Sequence, residues 1–316
     1  MFETLSVDRV YEAAERIRPL AHRTPVMSSR GFDEEAGLRA CFKCENLQRG
    51  GSFKIRGAAN FVLSLPREEL PMGVVAFSSG NHAQAVAIAA RFAGTHATIV
   101  MPSDAPRSKV EATRANGARI VFTESLAERE AVCRGIAEET GASFVPPFDH
   151  PWIMAGQGTA GLELIEEVPD LEALIAPVGG GGLLSGCGVA VRAVNPKIRI
   201  FGAEPAAASD TFLSLEAGEH VGIEPPVTLA DGLRTLRPGA LTFPILKSLA
   251  EAVVLVTEDE IAAALKFVLL RMKILIEPSA AVAVAAVLFR KLPAEVRSVG
   301  IIVSGGNVDY EVLRAL

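Results

Sequence analysis

Short apolar runs alternate along this chain with stretches whose apolar residues recur every three or four positions. GVVAF (73–77), ATIVM (97–101), ARIVF (118–122), ALIAPV (173–178), IRIFGAE (198–204), AVVLV (252–256) and VGIIVSGG (299–306) read as buried strands. Between them, GNHAQAVAIAARFAG, PRSKVEATRANG, SLAEREAVCRGIAEETG, LLSGCGVAVRAV, EDEIAAALKFVLLRMKI and SAAVAVAAVLFRKL carry helical periodicity. Gly94, Gly117 and Gly141 are placed to stop three of these helices. The alternation predicts an α/β protein with largely parallel sheet.

Three compact strand–helix units fall within 65–148 and a second set within 170–316. PPFDHPW (146–152), rich in proline and aromatics, reads as the crossing point. Two sheets are therefore expected. With 316 residues, 49% of them hydrophobic and 22% charged, the chain can bury such a core as one large domain or two intimate ones.

Charge narrows the partners. A net charge of -6 with no Lys/Arg-rich run argues against nucleic acid or an anionic membrane. The start, MFETLSVDRVYEAAERIRPL, places Asp8, Glu12 and Glu15 in an amphipathic pattern unlike a signal peptide. No apolar run reaches the roughly 20 residues of a membrane span. Cys41, Cys44, Cys133 and Cys187 form no disulfide framework, so a reduced, cytoplasmic protein is expected. The Cys41–Cys44 CxxC spacing lacks a second pair for zinc; two small apolar side chains along a strand are a simpler reading than a redox motif.

Ligands of open α/β sheets bind beyond the carboxyl ends of strands, and three such ends are chemically rich. After the strand at 73–77, Ser78, Ser79, Gly80, Asn81 and His82 lead into a helix, whose free N–H groups suit a carboxylate. Gly179, Gly180, Gly181 and Gly182 follow another strand and form a nest fit for phosphate, without the GK[ST] of a Walker loop. Glu204 ends the next strand about 20 residues on, where a nicotinamide enzyme would hold a ribose. Ser304, at the end of the last strand, offers a hydroxyl to a ring nitrogen or simply caps a turn. Finally, Lys54 in QRGGSFKIRGA lies between Phe53 and Ile55, a setting in which an amine loses its charge readily and forms Schiff bases. Lysine, phosphate nest and ring partner together are what pyridoxal 5′-phosphate requires.

GSFKIRGA, SSGNHAQ, PVGGGGL, ADG (230–232), EPSA (277–280) and SGGN run in order over nearly the whole chain. They resemble the threonine/serine dehydratase and serine racemase family of fold-type II pyridoxal-phosphate enzymes. The resemblance implies a tryptophan synthase beta-like α/β fold: two open, twisted, mainly parallel sheets flanked by helices. A large cofactor domain would span 1–64 and 149–316, and a small domain, 65–148, would close over the site. Lys54 would carry the cofactor, Phe53 would pack on its ring and Asn81 would bond its 3′ oxygen. Gly179 to Gly182 and the Leu183 N–H would hold the phosphate, and Ser304 would face the ring nitrogen. Ser78, Ser79, Asn81 and His82 would cradle the substrate carboxylate. Glu204, the Ala208 carbonyl and Asp210 match a family cation site suited to Mg²⁺ or Ca²⁺, which competes with the ribose reading of Glu204. The lysine, SSGNH and glycine stretches all depart from the patterns of the related cysteine-synthesis enzymes, which argues against sulfur transfer.

The implied reaction is deamination of L-threonine or L-serine to 2-oxobutyrate or pyruvate and ammonia, with Lys54 taking the α-proton. A serine cannot hold the ring nitrogen protonated as a carboxylate would, which favours loss of the β-hydroxyl over transamination. Ser79 matches the second base of the racemases. Serine racemase with dehydratase side activity and threo-3-hydroxyaspartate dehydratase are therefore the alternatives, and an NAD-binding oxidoreductase is the distant one. A non-catalytic amino-acid sensor would keep the loops and lose the lysine. The chain ends ten residues after Gly306, so the short catabolic type without a regulatory domain is expected, as a homodimer or homotetramer.

Overall fold

The structure is a computed structural model that describes residues 5–105, 107–124 and 128–316, at Ser108 by its backbone only. Residues 125–127, which open one predicted helix, and Pro106 lie outside the described residues. Two sheets are present. The first contains β1 (Val26–Ser28), β2 (Arg39–Cys44), β7 (Ala173–Pro177), β8 (Arg199–Pro205), β9 (Ala252–Val256) and β10 (Ser298–Val303). The second contains β3 (Val74–Phe77), β4 (Ala97–Pro102), β5 (Arg119–Thr123) and β6 (Ser143–Phe144). Their orders are β1-β2-β10-β7-β8-β9 and β5-β4-β3-β6. Among the described residues only the β1–β2 strand pair is antiparallel.

Every predicted apolar run is a strand. The central strands β7 and β10 are buried at every position, which is why they read as unbroken apolar runs rather than alternations. Gly94, Gly117 and Gly141 end their helices in the left-handed region, at φ 75°, 90° and 74°. The helix predicted over 258–274 is regular only over Glu258–Phe267. It widens into a π-turn at Val268–Met272, after which Ile274 and Ile276 enter the core. Helix Pro278–Leu288 is apolar all round because it is buried over residues 278–287, enclosed by sheet and helices.

Cys41 and Cys44 lie on β2 but belong to separate cores, so the two thiols face apart and form no dithiol site. Burial pushes the Cys44 thiol up to about 12. Among the described residues, no helix is long and apolar enough to cross a membrane.

A neutral set of buried charges anchors the helix Lys54–Val62. Arg56 is fully buried. It donates to Glu45 through Nε (2.7 Å) and Nη2 (2.8 Å), and to Glu163 through Nη1 (2.7 Å) and Nη2 (2.8 Å). Lys43, also fully buried, pairs with Glu163 at 2.6 Å and donates to the Thr24 carbonyl at 2.6 Å.

Candidate active site

Lys54 opens its helix at a junction with the end of β10. Ser52 bridges Gly305, and the Phe53 N–H donates to the Ser304 carbonyl at 3.0 Å. Ser304 itself is buried. The Lys54 ammonium donates to the Pro147 carbonyl at 2.8 Å and lies 5.1 Å from the Phe53 ring centroid. Burial lowers its pKa from 10.5 to about 8, with the charge of Glu277 opposing the shift. Its side chain still keeps part of its surface open.

The Ser78–His82 turn follows β3 directly. Ser78 Oγ accepts from the Gly80 N–H at 3.1 Å, and helix Asn81–Ala93 begins without a side-chain cap. Its first N–H groups are therefore open to an acceptor. Ser79 precedes that helix start. His82 is buried with Nε2 3.0 Å from the Val145 carbonyl. Burial, and secondarily the charge of Lys54, lower its pKa to about 3, so it is neutral at physiological pH. The Asn81 amide donates to both oxygens of Glu277, at 2.9 and 3.0 Å, and accepts from Asn307 Nδ2 at 2.8 Å.

The glycine loop follows β7. Gly181 sits at φ 89° and Gly182 begins helix Gly182–Val194. A side chain at Gly180 would overlap the Phe148 ring, and one at Gly181 would lie 2.8 Å from Leu246 and 2.9 Å from Thr242. Only glycine lets the backbone pass here, and the loop leaves N–H groups at a helix start for an anion. Ser185 Oγ, one turn into that helix, is buried without a partner. Phe148 adjoins Pro147, the acceptor of Lys54, so lysine and glycine loop share one wall.

Glu204 and Asp210 stand apart from this cluster, at the end of β8. Glu204 accepts N–H bonds from Thr211 (3.1 Å) and Phe212 (2.8 Å). Burial and repulsion from Asp210 push Glu204 up to about 8, and burial pushes Asp210 up to about 7. Ala208 is buried between them in sequence. Among the described residues no group of three or more acidic, histidine or cysteine side chains gathers as a metal site.

Sequence reasoning assigned no chemistry to Glu277 or Asn307, although EPSA and SGGN contain them. Glu277 is buried, which lifts its pKa to about 7 against the Asn81 hydrogen bond. It links the SSGNH turn to the end of β10 through the Asn307 N–H, at 3.1 Å. Arg129 and Arg234 were also missed. Arg129 lies 5.1 Å from the Phe77 ring centroid, at the end of β3, and its pKa is lowered by burial and then by Arg234.

A Pseudomonas sp protein named L-threo-3-hydroxyaspartate ammonia-lyase is 46% identical over 308 residues, 97% of this chain and 97% of that one. The crystal structure of serine racemase from Dictyostelium discoideum matches with a TM-score of 0.92 at 47% identity, covering 97% of this chain and 99% of that one. The crystal structure of a T.th. threonine deaminase gives a TM-score of 0.92 at 44% identity, covering 96% of this chain and 99% of that one. Residues 17–305 match the pattern of one family, and the chain belongs to it: the pyridoxal-phosphate dependent enzymes.

Proposed function

We propose that this enzyme removes the β-hydroxyl and amino group of L-threonine or L-serine, releasing 2-oxobutyrate or pyruvate and ammonia. The position of Lys54 carries the reading: an amine of lowered pKa where the glycine loop, the SSGNH turn and Ser304 meet. The names of the similar proteins support it. The cofactor is pyridoxal phosphate, which when bound disperses the negative charge left on a substrate's Cα.

The residues fit that cofactor. Gly179 to Gly182 and the Leu183 N–H would hold its phosphate, Phe53 would flank its ring, Asn81, on releasing Glu277, would meet its 3′ oxygen, and Ser304 would face its ring nitrogen. Lys54 would hold it and would take the substrate's α-proton. Ser78, Ser79, Asn81 and His82 hold the substrate carboxylate. With His82 neutral, that grip comes from amides and hydroxyls rather than from an imidazolium. Ser79 stands ready to serve the opposite face of Cα in racemisation. Residues 65–148 act as a small domain over the large one, 1–64 and 149–316; the Lys109–Asp231 ion pair, 2.7 Å, crosses between them. A homodimer or homotetramer rests on the resemblance alone, and a cytoplasmic setting on four cysteines that form no disulfide framework.

One observation favours a second substrate. Arg129, on the Phe77 ring, feels the repulsion of Arg234, which follows Leu233 beside Gly179, so a second carboxylate there would add to the attraction that Glu130 already gives Arg129. A panel of L-threonine, L-serine and L-threo-3-hydroxyaspartate, scored for 2-oxo acid and for enantiomer, tests both readings. Elimination from one of them is expected. In Arg129→Met, kcat/KM for hydroxyaspartate should fall about tenfold further than for L-serine. D-serine that disappears in Ser79→Ala would assign Ser79 the second proton. No 2-oxo acid from any substrate would end the reading.

Two further outcomes follow from the charges. Capture of pyridoxal phosphate by the cofactor-free protein needs a neutral Lys54 amine. Its rate, followed by visible absorbance, should rise with pH and level off above about 8, not about 10.5. We also propose that Glu204, the Ala208 carbonyl and Asp210 hold Mg²⁺ or Ca²⁺. The fit lies in two buried carboxylates without a cationic partner among the described residues. Adding either ion to chelator-treated protein should raise Tm by about 2–4 °C, and Asp210→Asn should abolish the gain. An unchanged wild-type Tm would contradict the site.

A further inference from the structure

The segment Pro147–Asp149 reaches Lys54, the glycine loop and the start of helix Thr242–Leu249. Pro147 accepts from Lys54, and the Phe148 ring packs on Gly180. The Asp149 carboxylate accepts three consecutive backbone N–H bonds: Ala240 (2.9 Å), Leu241 (2.9 Å) and Thr242 (3.1 Å). It thereby fixes the start of helix Thr242–Leu249. From that start, the Thr242 hydroxyl donates to the Gly180 carbonyl at 2.6 Å, and the Gly239 N–H donates to the same oxygen at 3.3 Å.

These two bonds have a geometric consequence. A trans peptide is planar, with its C=O and N–H pointing in opposite directions. A Gly180 carbonyl held towards Gly239 and Thr242 forces the Gly181 N–H to the other side. Gly181 is the left-handed residue that shapes the nest.

We propose that Asp149 is a positioning residue: through residues 240–242 and the Thr242 hydroxyl it holds the Gly180 carbonyl outward and aims the Gly181 N–H at the cofactor's phosphate. This rests on the reading of Gly179–Gly182 as the phosphate loop. The Asp149 carboxylate touches neither cofactor nor substrate in this role, so it acts on one limb of the cofactor only.

Pyridoxal, which lacks the phosphate, makes the test. The full-length protein, stripped of cofactor, is titrated with pyridoxal phosphate and with pyridoxal, following absorbance. In Asp149→Ala and in Thr242→Val the dissociation constant for pyridoxal phosphate should rise about tenfold or more, the loss of one hydrogen bond to a charged group. That for pyridoxal should stay within about twofold. Asp149→Asn, whose amide oxygen still accepts from Leu241 and Thr242 while its NH2 faces the Ala240 N–H, should recover part of the affinity. The two substitutions combined should cost little more than either alone, because both act on one carbonyl. Equal losses for the two ligands, or no loss for either, would overturn the proposal. A wild-type protein that binds both ligands equally would instead overturn the phosphate reading of the loop.

Discussion

Lys54→Ala should give a folded, colourless protein whose 2-oxo acid release is slower by about a thousandfold or more. The loss is large because one amine has two tasks, holding the cofactor and moving the α-proton. Neighbouring lysines do not replace it: Lys43 is locked between Glu163 and the Thr24 carbonyl, and Lys109 is paired with Asp231. Stability should not fall with activity. The folded-state pKa of Lys54 is lowered from 10.5 to about 8, so below about pH 8 the folded state carries an ammonium it disfavours. That cost is present at neutral pH and fades as pH rises from about 8 to 10.5. Removing the amine removes the cost. The cofactor-free variant should therefore unfold at the wild-type temperature or above at pH 7. Retained colour and turnover would contradict the role of Lys54.

Arg56→Met should destabilise the cofactor-free protein by about 3–5 kcal/mol, the usual cost of stranding buried partners. Glu45 is fully buried and would lose its guanidinium, keeping only the Thr24 hydroxyl at 2.5 Å. Burial alone would raise the pKa of Glu163; Arg56 and then Lys43 bring it below its usual value, and the substitution removes the larger of the two. Arg56→Met with Glu45→Gln leaves the Lys43–Glu163 pair intact and removes the stranded charge. The double variant should recover much of the loss in urea unfolding. A cost under about 1 kcal/mol for the single change would mean water reaches these groups after all.

How much of this could be read in the chain depended on sequence distance. Apolar runs, glycine stops and polar strand ends are local features, and the strands at 73–77, 97–101, 118–122 and 173–178 stand where the pattern puts them. β1 and β6 escaped because three and two residues carry no periodicity. Arg56 looked like any charged residue after a lysine; its partner Glu163 lies 107 positions on. Glu277 meets Asn81 across 196 positions, and Asn307 meets it across 226. Nothing near EPSA in the sequence indicates that its carboxylate is buried. Asp149 sat inside a segment marked only for proline and aromatics, while its three N–H donors lie about 90 positions away.

The central claim is that Lys54 carries the cofactor, and one measurement addresses it directly. The purified protein is reduced with borohydride, digested, and its peptides weighed. A pyridoxyl mass on the peptide containing Lys54, with loss of the visible band, is the predicted result. The same mass on a different lysine, or no cofactor on any peptide of an active enzyme, would contradict it.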